Sequence, residues 1–232
     1  MHIIPVLDLK GGRVVRAARG RRDLYRPIET PLAASSDIVA VAAGLRTLHP
    51  FSAFYVADLD AIAGGAPNEA ALAALRGMDR PPKLWVDAGT DEAAFLAAAL
   101  EKPWLRPILG SESQRDEALL RRFADHPRLV LSLDFTGEGF RGPASLLGNA
   151  ECWPSTVIVM TLAKVGAGAG PDFERLEEVR ARAGNRAVIA AGGVRGEADL
   201  RTLASLGVAG ALVATCLHDG SLTSEQIEAL HA

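Results

Sequence analysis

The chain of 232 residues contains little cysteine and no long apolar segment. Its two cysteines, Cys152 and Cys216, are not spaced as a CxxC motif, which excludes a zinc ribbon, a redox pair and a disulfide-rich scaffold. No uncharged apolar run approaches the roughly 18 residues that cross a bilayer, and the chain reaches Asp8 and Lys10 too soon for a secretory signal. We therefore expect a soluble, cytoplasmic protein with no membrane partner.

The chain also lacks an excess of charge of either sign. Lys and Arg number 25 and Asp and Glu number 28, so the net charge of -3 gives no general attraction for nucleic acid. The five histidines have no metal-ligand spacing, and we expect neither a metal site nor a cofactor. With 49% hydrophobic residues, the composition is that of a globular protein and not of a disordered one.

Short apolar runs and helical segments alternate along the chain. The runs are continuous and rich in Val, Ile and Leu, which is typical of strands buried on both faces. They cover residues 3–7, 53–57, 84–86, 107–109, 129–133, 156–160, 187–191 and 211–214. Helical spacing of apolar residues marks residues 68–75, 90–100, 112–124, 172–183 and 197–206. Eight such units predict an α/β protein with a (β/α)8 TIM barrel, and a doubly wound open sheet is the alternative.

An internal repeat divides the predicted barrel into halves. Leu7-Asp8-Leu9-Lys10-Gly11 resembles Leu133-Asp134-Phe135-Thr136-Gly137, and two further pairs of strand segments match in the same order. We therefore predict a single domain over residues 1–232, built from half-barrels of roughly residues 1–125 and 126–232. The segment 137–148 is rich in glycine, which favours a loop.

Polar residues that end apolar runs are the candidates for chemistry, because barrel active sites lie at the C-terminal ends of the strands. Asp8 and Asp134 end the first and fifth runs, so they would face each other across a substrate and share general acid and base work. The alternative is that each caps a turn. The other strand-end candidates are Asp58, Asp60, Asp87, Ser111, Thr161 and Thr215, of which we expect Asp58 and Ser111 to bind substrate.

Two glycines, Gly192 and Gly193, follow the seventh run and precede a helix. Backbone amides at such a junction can approach an anion, and the start of the helix adds partial positive charge. Ala214 and Thr215, after the eighth run, would complete a phosphate cradle of the kind that barrels build there. The alternative reading is that the glycines only allow tight packing of helix on strand.

Six arginines follow the first run, at positions 13, 16, 19, 21, 22 and 26. Guanidinium groups suit a phosphate or carboxylate that arrives from solvent, and Arg19 is the candidate for substrate binding. A solvated basic loop explains the same residues equally well.

These motifs together resemble the HisA/HisF family, and the pattern is most similar to its HisA-type isomerases. The resemblance is carried by Pro5-Val6-Leu7-Asp8-Leu9, Val56-Ala57-Asp58-Leu59-Asp60-Ala61, Ser132-Leu133-Asp134 and Ala191-Gly192-Gly193-Val194. It implies a barrel of two half-barrels and a metal-free Amadori rearrangement of an aminoaldose to an aminoketose. It further implies that Asp8 is the base at C2, Asp134 the acid that opens the sugar ring and Thr161 a polar helper.

Three segments depart from the pattern that the resemblance implies. Val86-Asp87-Ala88-Gly89-Thr90-Asp91 stands where a Gly-Gly-Gly turn for a second phosphate is expected. Ala214-Thr215 replaces Gly-Arg, and Gly166 replaces an acidic residue. The departures resemble HisA-related paralogues of microbes that use methanopterin-type one-carbon chemistry.

Three functions are consistent with this sequence. The first is an isomerase of a small phosphorylated metabolite in a pathway other than histidine synthesis, such as methanopterin-linked one-carbon or cofactor biosynthesis. The second is the histidine-pathway isomerase itself, and the third is a barrel that binds a phosphorylated metabolite without catalysis. Each implies a small phosphorylated partner, and the oligomeric state stays open.

Overall fold

Eight parallel strands form a closed barrel in the computed structural model, which describes residues 1–17 and 21–231. The barrel strands follow one another around the barrel in chain order, and the last strand pairs with the first. The barrel strands are β1 (His2–Lys10), β2 (Ala53–Asp58), β3 (Lys83–Asp87), β4 (Leu105–Gly110), β5 (Val130–Thr136), β6 (Thr156–Thr161), β7 (Ala187–Ala191) and β8 (Gly210–Val213). The predicted (β/α)8 barrel is confirmed, and the open doubly wound sheet is wrong.

Helices surround the barrel and connect its strands. They are α1 (Ile38–Leu48), α2 (Leu59–Ile62), α3 (Glu69–Arg76), α4 (Ala93–Leu100), α5 (Ala118–Phe123), α6 (Ala144–Gly148), α7 (Phe173–Ala183), α8 (Glu197–Ser205), α9 (Thr215–His218) and α10 (Ser224–His231). Each of the five predicted segments contains a helix, but segment 112–124 is helical only in α5 and begins with the short 3-10 turn Ser111–Ser113. Helix α1 was not predicted. It begins after Asp37, whose side chain accepts hydrogen bonds from the amides of Val39 and Ala40.

The barrel strands are buried on both faces, which explains their continuous apolar runs. One group of side chains, including Ile4, Tyr55 and Ile108, fills the barrel interior. A second group, including Leu7 and Leu131, packs between the strands and the surrounding helices. Because both faces are apolar, only the ends of the strands are free to carry polar chemistry. Among the described residues, no helix is both long enough and apolar enough to cross a membrane.

Strands β1 and β5 each continue beyond the barrel into an antiparallel hairpin. The second strand of the hairpin is Arg13–Arg16 for β1 and Gly139–Arg141 for β5. Asp8 lies opposite Val15 and Asp134 lies opposite Arg141, so both carboxylates have the same seven-residue spacing to their partners. The expected loop over residues 137–148 is therefore wrong in part, because the segment contains a hairpin strand and α6. The shared hairpin supports the two half-barrels of roughly residues 1–125 and 126–232, which stay a prediction.

Candidate active site

A cavity of about 330 Å³ opens at the C-terminal ends of the barrel strands. Its wall brings together seven of the strand-end and glycine candidates that the sequence selected, which are Asp8, Asp87, Asp134, Gly192, Gly193, Ala214 and Thr215. Asp58, Ser111 and Thr161 do not line it, and Arg19 lies outside the described residues. The strand-end rule therefore finds the cavity but does not separate residues that face it from residues that support it.

Asp134, near the end of β5, is almost fully buried. The Ser132 hydroxyl donates to its Oδ1 at 2.7 Å, and the Glu112 amide donates to its Oδ2 at 3.0 Å. Burial raises the pKa of Asp134 to about 7, and the charge of Asp87 adds to this effect. A carboxyl group with a pKa in this range can hold a proton at neutral pH and release it to a substrate.

Ser111 contacts Asp134 and not the cavity. Its Oγ lies 3.0 Å from Asp134 Oδ2 and 2.8 Å from the carbonyl oxygen of Arg141. A hydroxyl has one hydrogen, so it cannot donate to both oxygens. When Asp134 is protonated, its own proton can be donated to Ser111, which then donates to the Arg141 carbonyl. The arrangement therefore accommodates the acid form of Asp134, and Ser111 positions that side chain.

Asp8 lies on the cavity wall near the end of β1 and is half-buried. Loss of hydration raises its pKa to about 7, and the positive charge of Arg22 partly opposes this rise. The candidate site thus contains two carboxyl groups, on opposite strands of the barrel, that change protonation near neutral pH. Such a pair can remove a proton at one side of a substrate and deliver one at the other.

Asp87, at the end of β3, is a third carboxyl group on the cavity wall. The Tyr55 hydroxyl donates to its Oδ2 at 3.3 Å, and the Gly89 amide donates to its Oδ1 at 3.0 Å. Burial raises its pKa to about 6. Sequence analysis selected Asp87 as a strand-end residue but placed it beside a phosphate turn, whereas its side chain lies among the other two carboxyl groups.

Arg22 is a cavity residue that sequence reasoning did not single out from its neighbours. It lies in the short 3-10 turn Arg22–Leu24 and forms an ion pair with Glu112. Glu112 forms a second ion pair with Arg141, at 3.6 Å. Glu112 follows β4, about ninety positions later in the chain. A partner so far away in the sequence leaves no local pattern around Arg22. The sequence therefore does not distinguish Arg22 from the five other arginines of the segment.

The backbone after β7 approaches two other segments closely at its paired glycines. A Cβ atom on Gly192 would lie 2.6 Å from the carbonyl oxygen of Thr161, and one on Gly193 would lie 2.3 Å from that of Gly170. Both glycines also have positive φ angles, +105° and +83°. Only glycine fits there, so the packing role is real. Within residues 1–17 and 21–231 the amides of Gly193 and Val194 donate no hydrogen bond, which leaves them available to an anion.

The turn after β3 is arranged differently. Its Gly89 amide is already bonded to Asp87, and a Cβ on Gly89 would lie 2.7 Å from Cα of Ile62. Asp91 is outside the cavity and pairs with the exposed Arg115 at 3.2 Å. Residues 88–91 do not line the cavity, so this turn offers it no amide for a second phosphate.

Asp58 and Thr161 are buried and do not line the cavity. Asp58 is fully buried and accepts hydrogen bonds from the Ala61 amide and from both the backbone and side-chain amides of Asn68, at 2.7 to 3.2 Å. It therefore fixes the loop after β2, and its placement does not support the predicted contact with substrate. Thr161 is buried at the end of β6, where its carbonyl group packs against Gly192.

His218, at the end of α9, is a neutral group on the cavity wall. Burial lowers its pKa to about 4, and its Nδ1 lies 3.1 Å from the Thr30 hydroxyl. Since the Leu32 amide donates to that hydroxyl oxygen, the hydroxyl hydrogen is free to point to the ring. In the part of the chain that the structure describes, no group of three His, Cys, Asp or Glu side chains is arranged to hold a metal ion.

Comparison with known proteins gives matches over nearly the whole chain. The family model described as histidine biosynthesis protein matches residues 2–223. An uncharacterized protein of Methanocaldococcus jannaschii is 31% identical over 98% of this chain and 97% of its own length. A phosphoribosyl isomerase A of Streptomyces griseus is 30% identical over 97% and 96% of the two chains. A phosphoribosyl-substituted imidazole-4-carboxamide isomerase of Sorangium cellulosum is 31% identical over the full length of both.

Proposed function

Because the chain belongs to the histidine biosynthesis protein family, we propose that it is an isomerase that converts a phosphorylated aminoaldose into the corresponding aminoketose. Two relatives that match it over at least 96% of their own length are named as isomerases. The single observation that carries the proposal is the pair of carboxyl groups, Asp8 and Asp134, that lie on one cavity with pKa values near 7.

The proposed reaction begins at Asp134. Its proton passes to the ring oxygen of the aminoaldose, the bond between that oxygen and C1 breaks, and the nitrogen lone pair forms a protonated imine at C1. Asp8 then removes the proton from C2, and the electron pair of that bond forms the enolamine. The proton on Asp8 then returns to C1 while the C2 hydroxyl gives its proton to Asp134, so C2 becomes the ketone carbonyl, both carboxyl groups regain their starting states and no atom is gained or lost. The hydrogen bonds around Ser111 support the acid role of Asp134, because they accommodate its protonated form.

We propose that the substrate phosphate binds beside Gly192 and Gly193, with Ala214 and Thr215 on the other side. All four residues lie on the cavity wall, and the amides of Gly193 and Val194 are free to donate within the described chain. Phosphate recognition by backbone amides at such a junction does not need a cationic side chain. This places one phosphate at the β7 and β8 side of the cavity, away from the hairpin of β5.

The finer proposal is that the substrate carries one phosphate and belongs to a pathway other than histidine synthesis. The support is the turn after β3, whose Gly89 amide is occupied by Asp87 and whose residues 88–91 lie off the cavity wall. A second phosphate near Asp87 would also meet a buried carboxylate, which is unfavourable. The histidine-pathway isomerase is the second candidate, and the full-length similarity to relatives with that name favours it.

Growth complementation distinguishes the two candidates. A bacterial strain that lacks its own isomerase of histidine synthesis receives this gene, the gene of the Streptomyces griseus relative as positive control, or this gene with Asp134→Asn. We expect growth without histidine only from the relative, with all three proteins present at equal soluble levels. Rescue by the unaltered chain, and not by Asp134→Asn, would make the histidine-pathway reaction its function.

Proton exchange tests the chemistry itself. N-aryl glycosylamines of ribose 5-phosphate are incubated with the protein in D2O, and the C2 proton is followed by NMR. We expect loss of the C2 signal with the unaltered protein and none with Asp8→Asn. If the protein binds inorganic phosphate but exchanges the C2 proton of none of the glycosylamines, the third function is indicated. That function is a barrel that binds a phosphorylated metabolite without catalysis.

A further inference from the structure

Asp87 and Asp134 approach the same point of the barrel from two sides. Asp87 is the last residue of β3, and Asp134 lies near the end of β5. These two strands lie on either side of β4. A methyl group on Gly110, the last residue of β4, would lie 3.5 Å from Oδ2 of Asp87 and 3.6 Å from Oδ2 of Asp134. Glycine at this position thus leaves the two buried carboxyl groups with no side chain between them.

Two donors hold the Asp87 carboxylate in place. The Tyr55 hydroxyl reaches Oδ2 from β2, and the Gly89 amide reaches Oδ1 from the turn after β3. Burial and the nearby carboxylates raise the pKa of Tyr55 well above its usual range, so this hydroxyl keeps its proton and stays a donor. Donors to both oxygens stabilise the ionised form of Asp87.

We propose that Asp87 is a positioning residue whose negative charge keeps the proton on Asp134. Burial raises the pKa of Asp87 to about 6 and that of Asp134 to about 7. Both carboxyl groups have hydrogen-bond donors on both oxygens, but the positive charge of Arg22 also opposes the rise at Asp87, so Asp87 ionises first as the pH rises. Its charge then opposes the ionisation of its neighbour. The inference rests on the proposed function only in calling Asp134 the acid.

Other titratable groups also lie around Asp134. Glu112, after β4, faces it but is paired with Arg22 and with Arg141 of the β5 hairpin, which offset its charge. Tyr55 of β2 keeps its proton and is neutral. Asp8 of β1 lies across the barrel, and the carboxylates that raise the pKa of Asp134 are Asp87 and Glu112. Asp87 is therefore the carboxylate whose removal changes the protonation of Asp134 most.

The test is a carbon-13 NMR titration of the aspartate carboxyl groups in the whole protein, with the Asp134 signal assigned from its loss in Asp134→Asn. In Asp87→Asn we expect the titration midpoint of Asp134 to fall by about one pH unit. The distances from a Cβ on Gly110, 3.5 Å and 3.6 Å, put the two Oδ2 atoms at most about 7 Å apart. Two charges at that separation and an effective dielectric of about 20 would shift the midpoint by roughly 1.7 pH units, and water in the cavity reduces this shift. An unchanged midpoint in a folded Asp87→Asn protein overturns the proposal.

Two further variants keep the test decisive. Asp91→Asn makes the same chemical change four residues away, outside the cavity, and should leave the Asp134 midpoint where it is. Tyr55→Phe keeps Asp87 and removes one donor to it, so the Asp87 midpoint should rise and the Asp134 midpoint should fall. If Asp87→Asn does not fold, an Asp134 midpoint that stays fixed in Tyr55→Phe while the Asp87 midpoint rises refutes the inference. The titration needs no substrate, so a failure of the proposed isomerisation and a failure of this inference are separate results.

Discussion

Replacing Gly193 with alanine tests whether the backbone after β7 binds phosphate. The residue has a φ angle of +83°, which an alanine adopts at a loss of about 1–2 kcal/mol. The new Cβ would also lie 2.3 Å from the carbonyl oxygen of Gly170, so the two segments must move apart. Such overpacking adds about 1–3 kcal/mol, and we expect a total loss of about 2–5 kcal/mol in the free energy of unfolding. The movement should also displace the amides that face the cavity.

Gly207→Ala is the matched control for this prediction. Gly207 has a similar φ angle of +73°, but a Cβ there would meet only the flexible Arg180 side chain, at 3.5 Å. It follows α8, before β8 begins, and does not line the cavity. Urea unfolding should show a loss of about 1–2 kcal/mol for the control. Calorimetry should show phosphate affinity unchanged in the control and at least about tenfold weaker in Gly193→Ala. Equal losses of stability and equal phosphate affinities in the two variants would refute phosphate binding by the backbone after β7.

Three other predictions concern the carboxyl groups. Asp8→Asn and Asp134→Asn should each lower turnover by about a hundredfold or more, and the double variant should fall short of the product of the two, as measured in the proton-exchange assay; full activity in either single variant would remove that residue from the mechanism. Because the pKa of Asp8 is about 7 in the folded protein against an ordinary 3.8, the folded chain binds more protons in that window and loses stability as the pH rises through it. Asp8→Asn should therefore reduce the drop in unfolding free energy between pH 5 and pH 8 by on the order of 2 kcal/mol, and an unchanged drop would contradict the raised pKa. Ser132→Ala removes a donor to ionised Asp134, so the midpoint of Asp134 in the NMR titration should move upward, whereas a downward movement would mean that the bond favours the acid form.

The barrel could be predicted from the sequence because its strands are buried on both faces. Runs such as residues 156–160 contain few polar residues, and each ends at a position where the polarity changes. Helix α1 was not predicted although it is apolar, and it contains a glycine, Gly44. A Cβ on Gly44 would lie 2.0 Å from the carbonyl oxygen of Leu32, a contact that no periodicity reveals. Glycine within a helical pattern otherwise lowers confidence in a helix.

The candidate site could be predicted only as far as the strand ends determine it. Asp8 and Asp134 were found because the repeat singles them out. Asp58 obeys the same rule, yet Asn68, ten residues later, supplies the donors that turn its carboxylate into a loop anchor. Arg22 depends on Glu112 in a distant loop, which is a tertiary contact. The local sequence pattern therefore identifies the residues at the C-terminal ends of the strands. Tertiary contacts decide which of those side chains face the cavity.

The two hairpins differ in how firmly their tips are attached, although both keep a carboxylate in register. At the first tip, the amides of Gly11 and Gly12 donate to Asp60 and Asn68. At the second, in the part of the chain that the structure describes, the side-chain hydrogen bonds of Thr136 to Gly139 and to the Glu138 amide stay within the hairpin. Insertions at the second tip can therefore change what lies above the cavity while antiparallel pairing keeps Asp134 opposite Arg141. In evolutionary terms, we expect the C-terminal half of the barrel to be the half in which new substrate ranges can arise at little risk to the two carboxyl groups.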